Sequence, residues 1–333
     1  MDTFGKRLGR FGLVVVAVLV ALVVGWTVFV RVPGDVADLL GVVLVLALGV
    51  ATARAAARIG RRWLAAYDVA EVAVEGPITR DGNTGGVTGG VVTPPADAVV
   101  EQIERADDDP NVEGLLVELN TPGGEIVPSD DIRLAVERFE GPVVAYATDQ
   151  CASGGYWIAS ACDRLFAREG SLVGSIGVIG STVNAAELAE ELGVSYERFA
   201  AGKYKDAGQP LKELDADDRD YLQGIVDDYY DDFVERVAEG RGLDPETVRE
   251  TEARVFLGGE AETRGLVDEL GTARDAEETL ADELGHEVTV EAFHASPGLF
   301  RRLQGGGRAL ARAAGAGVAD ALAGDDDAEF RLR

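Results

Sequence analysis

The sequence predicts an α/β domain built on parallel strands and carried behind a helical hairpin of membrane-spanning length. From Tyr67 onward, short apolar runs bounded by Gly, Pro and Asp alternate with segments of helical periodicity, and that alternation implies parallel pairing. Ahead of Tyr67 stand two long apolar stretches, residues 12–30 and 39–57. The 333 residues leave room for one large domain with additions, or two small ones, each with a buried core.

The first stretch, GLVVVAVLVALVVGWTVFV, is 19 residues without a charge. At about 1.5 Å per residue it reaches roughly 28 Å, close to a bilayer core. A cleaved signal peptide is the competing reading, but its apolar part normally runs only about 7–15 residues before a small-residue cleavage site. Here Phe29, Val30, Arg31 and Val32 stand at the end of the run. The link RVPGDVAD leads to the second stretch, which Arg54 interrupts and which Arg58, Arg61 and Arg62 close, so an interfacial helix is its alternative reading. Residues 1–64 are therefore expected to anchor the chain in the lipid of the cell membrane. Basic residues near span ends favour the cytoplasmic side. If both stretches cross, the following domain is cytoplasmic; if the second only lies in the interface, the domain is outside.

Each later element follows from its local pattern. VAEVAVEGPI reads as a strand, and the Gly/Thr-rich residues 80–93 as a flexible exposed loop. PPADAVVEQIERADDDP is helical, GLLVELN a buried strand, PSDDIRLAVERFE helical and PVVAYA a strand. Beyond these come the apolar GSIGVIG, the helix AAELAEELG, the strand SYERFA and a long helix from about Asp215 to Gly240. One domain over residues 68–285 results. Residues 286–333 add the apparent strand EVTVEAFH and, from Pro297, a tail that is either an amphipathic helix against a membrane or subunit, or a frayed terminus.

Composition excludes several functions. A formal charge of −28 repels phosphate backbones, so nucleic acid is not an expected partner. Only four of the 31 basic residues are lysine, an arginine-rich and strongly acidic balance that suits high salt, where screening tolerates like charges. Cys151 and Cys162 are too few for a disulfide framework, and His286 and His294 lack metal-ligand spacing, so no cofactor is expected.

Two motifs stand at the carboxyl ends of strands, where parallel sheets carry their ligand sites. Asn120-Thr121-Pro122-Gly123-Gly124 follows GLLVEL, and its glycines can turn backbone N–H groups toward a ligand oxygen; a plain tight turn is the alternative. Cys151-Ala152-Ser153-Gly154-Gly155-Tyr156-Trp157 follows PVVAYA and opens an apolar helix. Ser153 there is either a nucleophile beside the Gly154 N–H or a helix N-cap. Cys151 is a weaker nucleophile candidate, with no histidine near it in sequence.

A nucleophilic serine needs a base, and the two histidines lie over 130 residues later. Three of the four lysines fall within GKYKDAGQPLKEL, a concentration that chemistry explains, since arginine cannot be deprotonated in its place. Solvated loop lysines are the alternative. A lysine base near neutrality must release a proton it ordinarily holds to a pKa of about 10.4, and burial against apolar groups is the usual means. Asp206, next to Lys205, would oppose that release and is expected to point elsewhere.

NTPGG, CASGGYWIASACDRLFAREGSLVGSIGV, ERFAAGKYKDAGQPLKEL and RVFLGGEAETRGLVDELG, in that order over about residues 70–285, resemble the signal peptide peptidase A family in its short form. The resemblance implies a ClpP/crotonase-like fold of repeated β-β-α units and a Ser/Lys endopeptidase acting on remnant signal peptides and other short or unfolded peptides. It makes Ser153 the nucleophile, Lys205 the base and Ser175 a hydrogen-bond partner of that lysine, with the N–H groups of Gly124 and Gly154 as the oxyanion hole. It also implies a homo-oligomeric ring whose serine and lysine come from adjacent protomers. The departures are NTPGG, where a serine is frequent, and FLGGEAE in place of a tyrosine-threonine-glycine form. An acyl-coenzyme A enzyme of crotonase type and a non-catalytic membrane scaffold of the same fold are the rival readings.

Overall fold

The computed structural model describes residues 67–84 and 92–294, together with helical residues 12, 15–24, 26, 45 and 47–54. Among the described residues no helix is long and apolar enough to cross a membrane. The expected spans fall only in part among the described residues, and the tail from Pro297 lies outside them. A side chain built on Gly49 would meet Leu22 Cδ2 at 3.4 Å, so the two apolar segments pass close to each other.

The domain is a mixed α/β structure around one sheet. In chain order its strands and helices are β1 (Val69–Glu75), β2 (Asn83–Thr84), β3 (Val92–Thr93), α1 (Ala96–Asp107), β4 (Gly114–Thr121), α2 (Ile126–Arg138), β5 (Val143–Ala152) and α3 (Gly154–Ala159). There follow β6 (Arg164–Ala167), β7 (Leu172–Gly174), α4 (Ala186–Glu191), α5 (Ala216–Arg241), α6 (Pro245–Arg249), β8 (Val255–Leu257), α7 (Gly258–Thr263), β9 (Glu269–Leu270), α8 (Ala273–Leu284) and β10 (Val290–Ala292). The order across the sheet is β10-β1-β4-β5-β6-β9, all parallel, with β7 also on β5 and β8 antiparallel to β7.

The continuous apolar run of β4 is what a strand covered on both faces requires: Leu115, Leu116, Val117 and Leu119 are all fully buried. On α1, the buried positions Val99, Gln102, Ile103 and Ala106 fall at helical spacing and pack that face on the sheet. The second face is closed by α8, whose Ala276 and Leu280 pack with Val69, Leu116, Val144 and Phe166.

One irregularity positions the site. Strand β5 is longer than PVVAYA suggested and changes partner along its length. Val144–Ala147 pair with β6, whereas Gln150–Ala152 pair with β7, and the register to β4 shifts between Leu119 and Thr121. The sheet forks there, which carries the end of β5 and the serine after it away from the flat sheet.

Two expected elements differ. SYERFA is not a strand: residues 194–200 are irregular and exposed, with Phe199 at 94% exposure. A strand needs a hydrogen-bonded neighbour, and none stands at this position among the described residues. The loop expected over 80–93 contains the short antiparallel pair β2–β3. EVTVEAFH contributes β10, which pairs parallel with β1.

Candidate active site

Ser153 sits between the end of β5 and the start of α3 with φ 51° and ψ −121°, a left-handed conformation that costs a non-glycine residue on the order of 1–3 kcal/mol. The strain is held by backbone hydrogen bonds on both sides. Its N–H donates to Gly174 O at 2.9 Å, and its carbonyl accepts from Trp157 N–H at 2.9 Å. Its hydroxyl makes no capping bond to the helix, which removes the N-cap reading. Among the described residues its Oγ has no hydrogen-bond partner.

Two glycine turns close on this serine. Gly123 has φ 88°, and a Cβ there would come within 2.5 Å of Gly154 N and 2.8 Å of Ser153 Cβ, so only glycine lets β4's turn approach so closely. The bridge between Ile78 and Gly124 uses the bonds Ile78 N–H to Gly123 O and Glu125 N–H to Ile78 O, and leaves the Gly124 N–H out of it. Gly154 is the first residue of α3, where a helix N–H has no partner within the helix. A Cβ on Gly154 would lie 3.3 Å from Gly124 N, so the two backbones are in contact. Among the described residues neither N–H has an acceptor. Two free donors beside an uncommitted hydroxyl can bind an oxyanion.

Ser175 follows β7 as Ser153 follows β5, one step beyond the paired Ala152 and Gly174. It too is left-handed, at φ 53°, with its N–H bonded to Arg254 O at 2.9 Å. The two serines thus stand side by side at the fork.

Next to Ser153 opens a pocket of about 100 Å³ that reaches the Gly124 and Gly154 turns. Its walls are Ile126, Trp157, Val178, Ile179, Tyr229 and Phe233. Sequence reading passed over these residues, although Tyr229 and Phe233 stand four apart on α5, a spacing that puts them on one helix face. The Trp157 ring packs against Phe233 with centroids 4.8 Å apart.

Lys205 is exposed in the irregular segment between α4 and α5, and no hydrogen bond joins it to Ser153. The neighbouring lysines are committed elsewhere. Lys203 pairs with Asp217, and Lys212 pairs with Asp206 at 3.3 Å and with the buried Asp218 at 2.6 Å. Among the described residues Lys205 alone of the three has no carboxylate partner. Asp206 does turn to other groups: it is buried and accepts from Arg198 and Lys212, and the Arg198 guanidinium holds its carboxyl below the usual range.

Cys151 is fully buried, and that burial pushes its thiol far up; Cys162 is pushed up to about 12 by the same cause. Fully buried, Cys151 is closed to a substrate carbonyl and its thiol keeps its proton more tightly than usual, which argues against it as the nucleophile. His286 Nε2 lies 3.3 Å from Glu113 Oε2, and Glu113 precedes β4, so this histidine is at the amino ends of the strands, opposite Ser153.

The description of Peptidase family S49 matches residues 137–287. A "Putative protease" of Synechocystis sp. is 36% identical over 66% of this chain and 81% of that protein. A "Putative signal peptide peptidase SppA" of Enterococcus faecium is 36% identical over 55% of this chain and 54% of its own length. Among solved structures, a ClpP1 mutant from Listeria monocytogenes aligns over 62% of this chain and 93% of that one, at 16% identity and a TM-score of 0.41. The chain belongs to peptidase family S49, a serine protease family, and is a hydrolase.

Proposed function

We propose that the chain is a membrane-anchored serine endopeptidase in which Ser153 is the nucleophile and Lys205 the general base, acting on short or unfolded peptides that include signal-peptide remnants. The single observation that carries this reading is the state of Ser153: strained, uncapped, beside two free glycine N–H groups and above an apolar pocket. Ser153 Oγ attacks the scissile carbonyl carbon and gives its proton to the neutral Lys205 amine. The carbonyl oxygen, now an anion, receives the Gly124 and Gly154 N–H groups, and collapse expels the amine, which takes the proton from lysine. Water then resolves the acyl-enzyme by the same route. Ser175, beside Ser153, would hold the Lys205 amine.

Lys205 belongs to an exposed segment whose apolar side chains, among them Ile179, Val183, Leu192 and Phe199, lie open to solvent. In the proposed assembly, a ring of copies covers this surface and brings Lys205 of one protomer to Ser153 of the next. Cover of that kind also supplies the desolvation a lysine base needs. The anchor is the hairpin of residues 1–64, with the domain on the cytoplasmic side.

The acyl-coenzyme A alternative has no comparable support, whereas relatives that match this chain include proteins named as proteases. Ser153→Ala and Lys205→Ala should each abolish peptide hydrolysis in a folded protein, and Lys205→Arg should be as inert as Lys205→Ala. Substantial turnover by Lys205→Arg would refute the lysine base, since arginine stays protonated.

A further inference from the structure

Trp157 forms one wall of the pocket next to Ser153, and a flat indole is a useful wall only if its orientation is set. On one side it rests against Phe233 at a tilt of 54°. On the other, its Nε1–H donates to Asp130 Oδ1 at 3.0 Å. Asp130 lies on α2, outside the pocket lining, and the same oxygen accepts from Arg133 Nε at 2.8 Å. Arg133 is itself nearly buried, with a side chain 7% exposed, and its other end is held by Glu137 Oε2 at 3.1 Å. A chain of oriented, charge-assisted bonds therefore runs from α2 to the indole edge.

We propose that Asp130, oriented by Arg133, is a positioning residue that sets the Trp157 wall and thereby the size of substrate side chain accepted beside the scissile bond. The proposal rests on the reading of Ser153 as the nucleophile. Without the carboxylate, the indole edge has no acceptor and the ring can slide on Phe233, which widens the pocket and blurs its choice of side chain. Asn at 130 keeps an Oδ1 acceptor for both Trp157 and Arg133, so it should preserve the wall, whereas Ala should not.

The test uses the full-length chain and peptides that differ at one position, with Ala, Leu or Phe, and reads cleavage sites by mass spectrometry. In Asp130→Ala the ratio of kcat/KM between the best and worst fitting side chains should fall about 5-fold, mostly through KM, as loss of one oriented bond at a specificity pocket implies. Asp130→Asn should restore the ratio. A helix staple of purely structural role would instead lower Tm in Asp130→Ala and leave the ratio alone. In a Trp26→Phe/Trp63→Phe background, Trp157 emission should shift with Asp130→Ala and stay in place with Asp130→Asn, which reads the wall without activity. An unchanged ratio in Asp130→Ala, an unchanged emission, or Asp130→Asn behaving as the alanine variant would overturn the proposal. Ser153→Ala runs in parallel: if it still hydrolyses, the nucleophile reading fails and the proposal with it, whereas an inert Ser153→Ala beside an unchanged Asp130→Ala ratio defeats the proposal alone.

Discussion

Gly154→Ala isolates the oxyanion hole from the nucleophile. The backbone of Gly154 is outside the left-handed region, so alanine carries no conformational penalty and acts only through its methyl group. That methyl would fall inside contact distance of Ser129 Oγ, 3.1 Å from Ser129 Cβ and 3.3 Å from Gly124 N. Ser129 cannot turn aside freely, since its Oγ donates to Glu125 O at 2.8 Å. The first turn of α3 must yield instead, which pulls the Gly154 N–H away from the Gly124 N–H. Loss of one oxyanion donor costs about 10²–10³ in kcat, or roughly 2.7–4 kcal/mol. Removing the obstruction should recover part of this: Gly154→Ala/Ser129→Gly removes the two closest contacts, to Ser129 Oγ and Cβ, and its kcat should rise at least about tenfold over Gly154→Ala. The assay is steady-state cleavage of a fluorogenic peptide, with Tm measured beside it to show that each variant is folded. A Gly154→Ala enzyme within about threefold of wild-type kcat, or a double variant no faster than the single, would refute the oxyanion assignment.

Mixing inactive Ser153→Ala with inactive Lys205→Ala protein should restore some activity once mixed oligomers form; failure in confirmed mixed assemblies would place both residues in one protomer. The His286 imidazole is raised above its usual value, first by the Glu287 carbonyl and then by Glu113. A raised folded-state pKa stabilises the fold fully below about pH 6.5 and loses that contribution as pH climbs through the folded value. Wild-type Tm should therefore fall more than that of His286→Gln between pH 5.5 and 8.5, and parallel curves would exclude the contribution. Protease added to right-side-out vesicles should spare the domain until lysis, and digestion without lysis would defeat the hairpin topology.

The parts of this protein legible in one dimension were those whose physics is local. Hydrophobic patterning marked β1, α1, β4 and α5, because a helix face buries every 3.6 residues and a strand covered on both faces needs an unbroken apolar run, whatever lies across from it. The glycines of NTPGG and SGGYW were legible for the same reason: close approach of backbones demands a missing Cβ, and that demand is written in residue type. The lysine cluster stood out against an arginine background.

Other features depend on partners remote in sequence. SYERFA has strand-like residues, yet strand formation is a property of a pair, and no neighbour stands beside it among the described residues. The fork of β5 between β6 and β7, which sets Ser153 beside Ser175, follows from pairing geometry that no local pattern encodes. Only the folded chain shows that the Ser153 hydroxyl is not a cap, and that Asp217, Asp206 and Asp218 occupy Lys203 and Lys212 while Lys205 has no carboxylate partner among the described residues. Residue type determined which groups could react; tertiary contacts, by satisfying their neighbours' hydrogen bonds and charges, decided which were left free to do so.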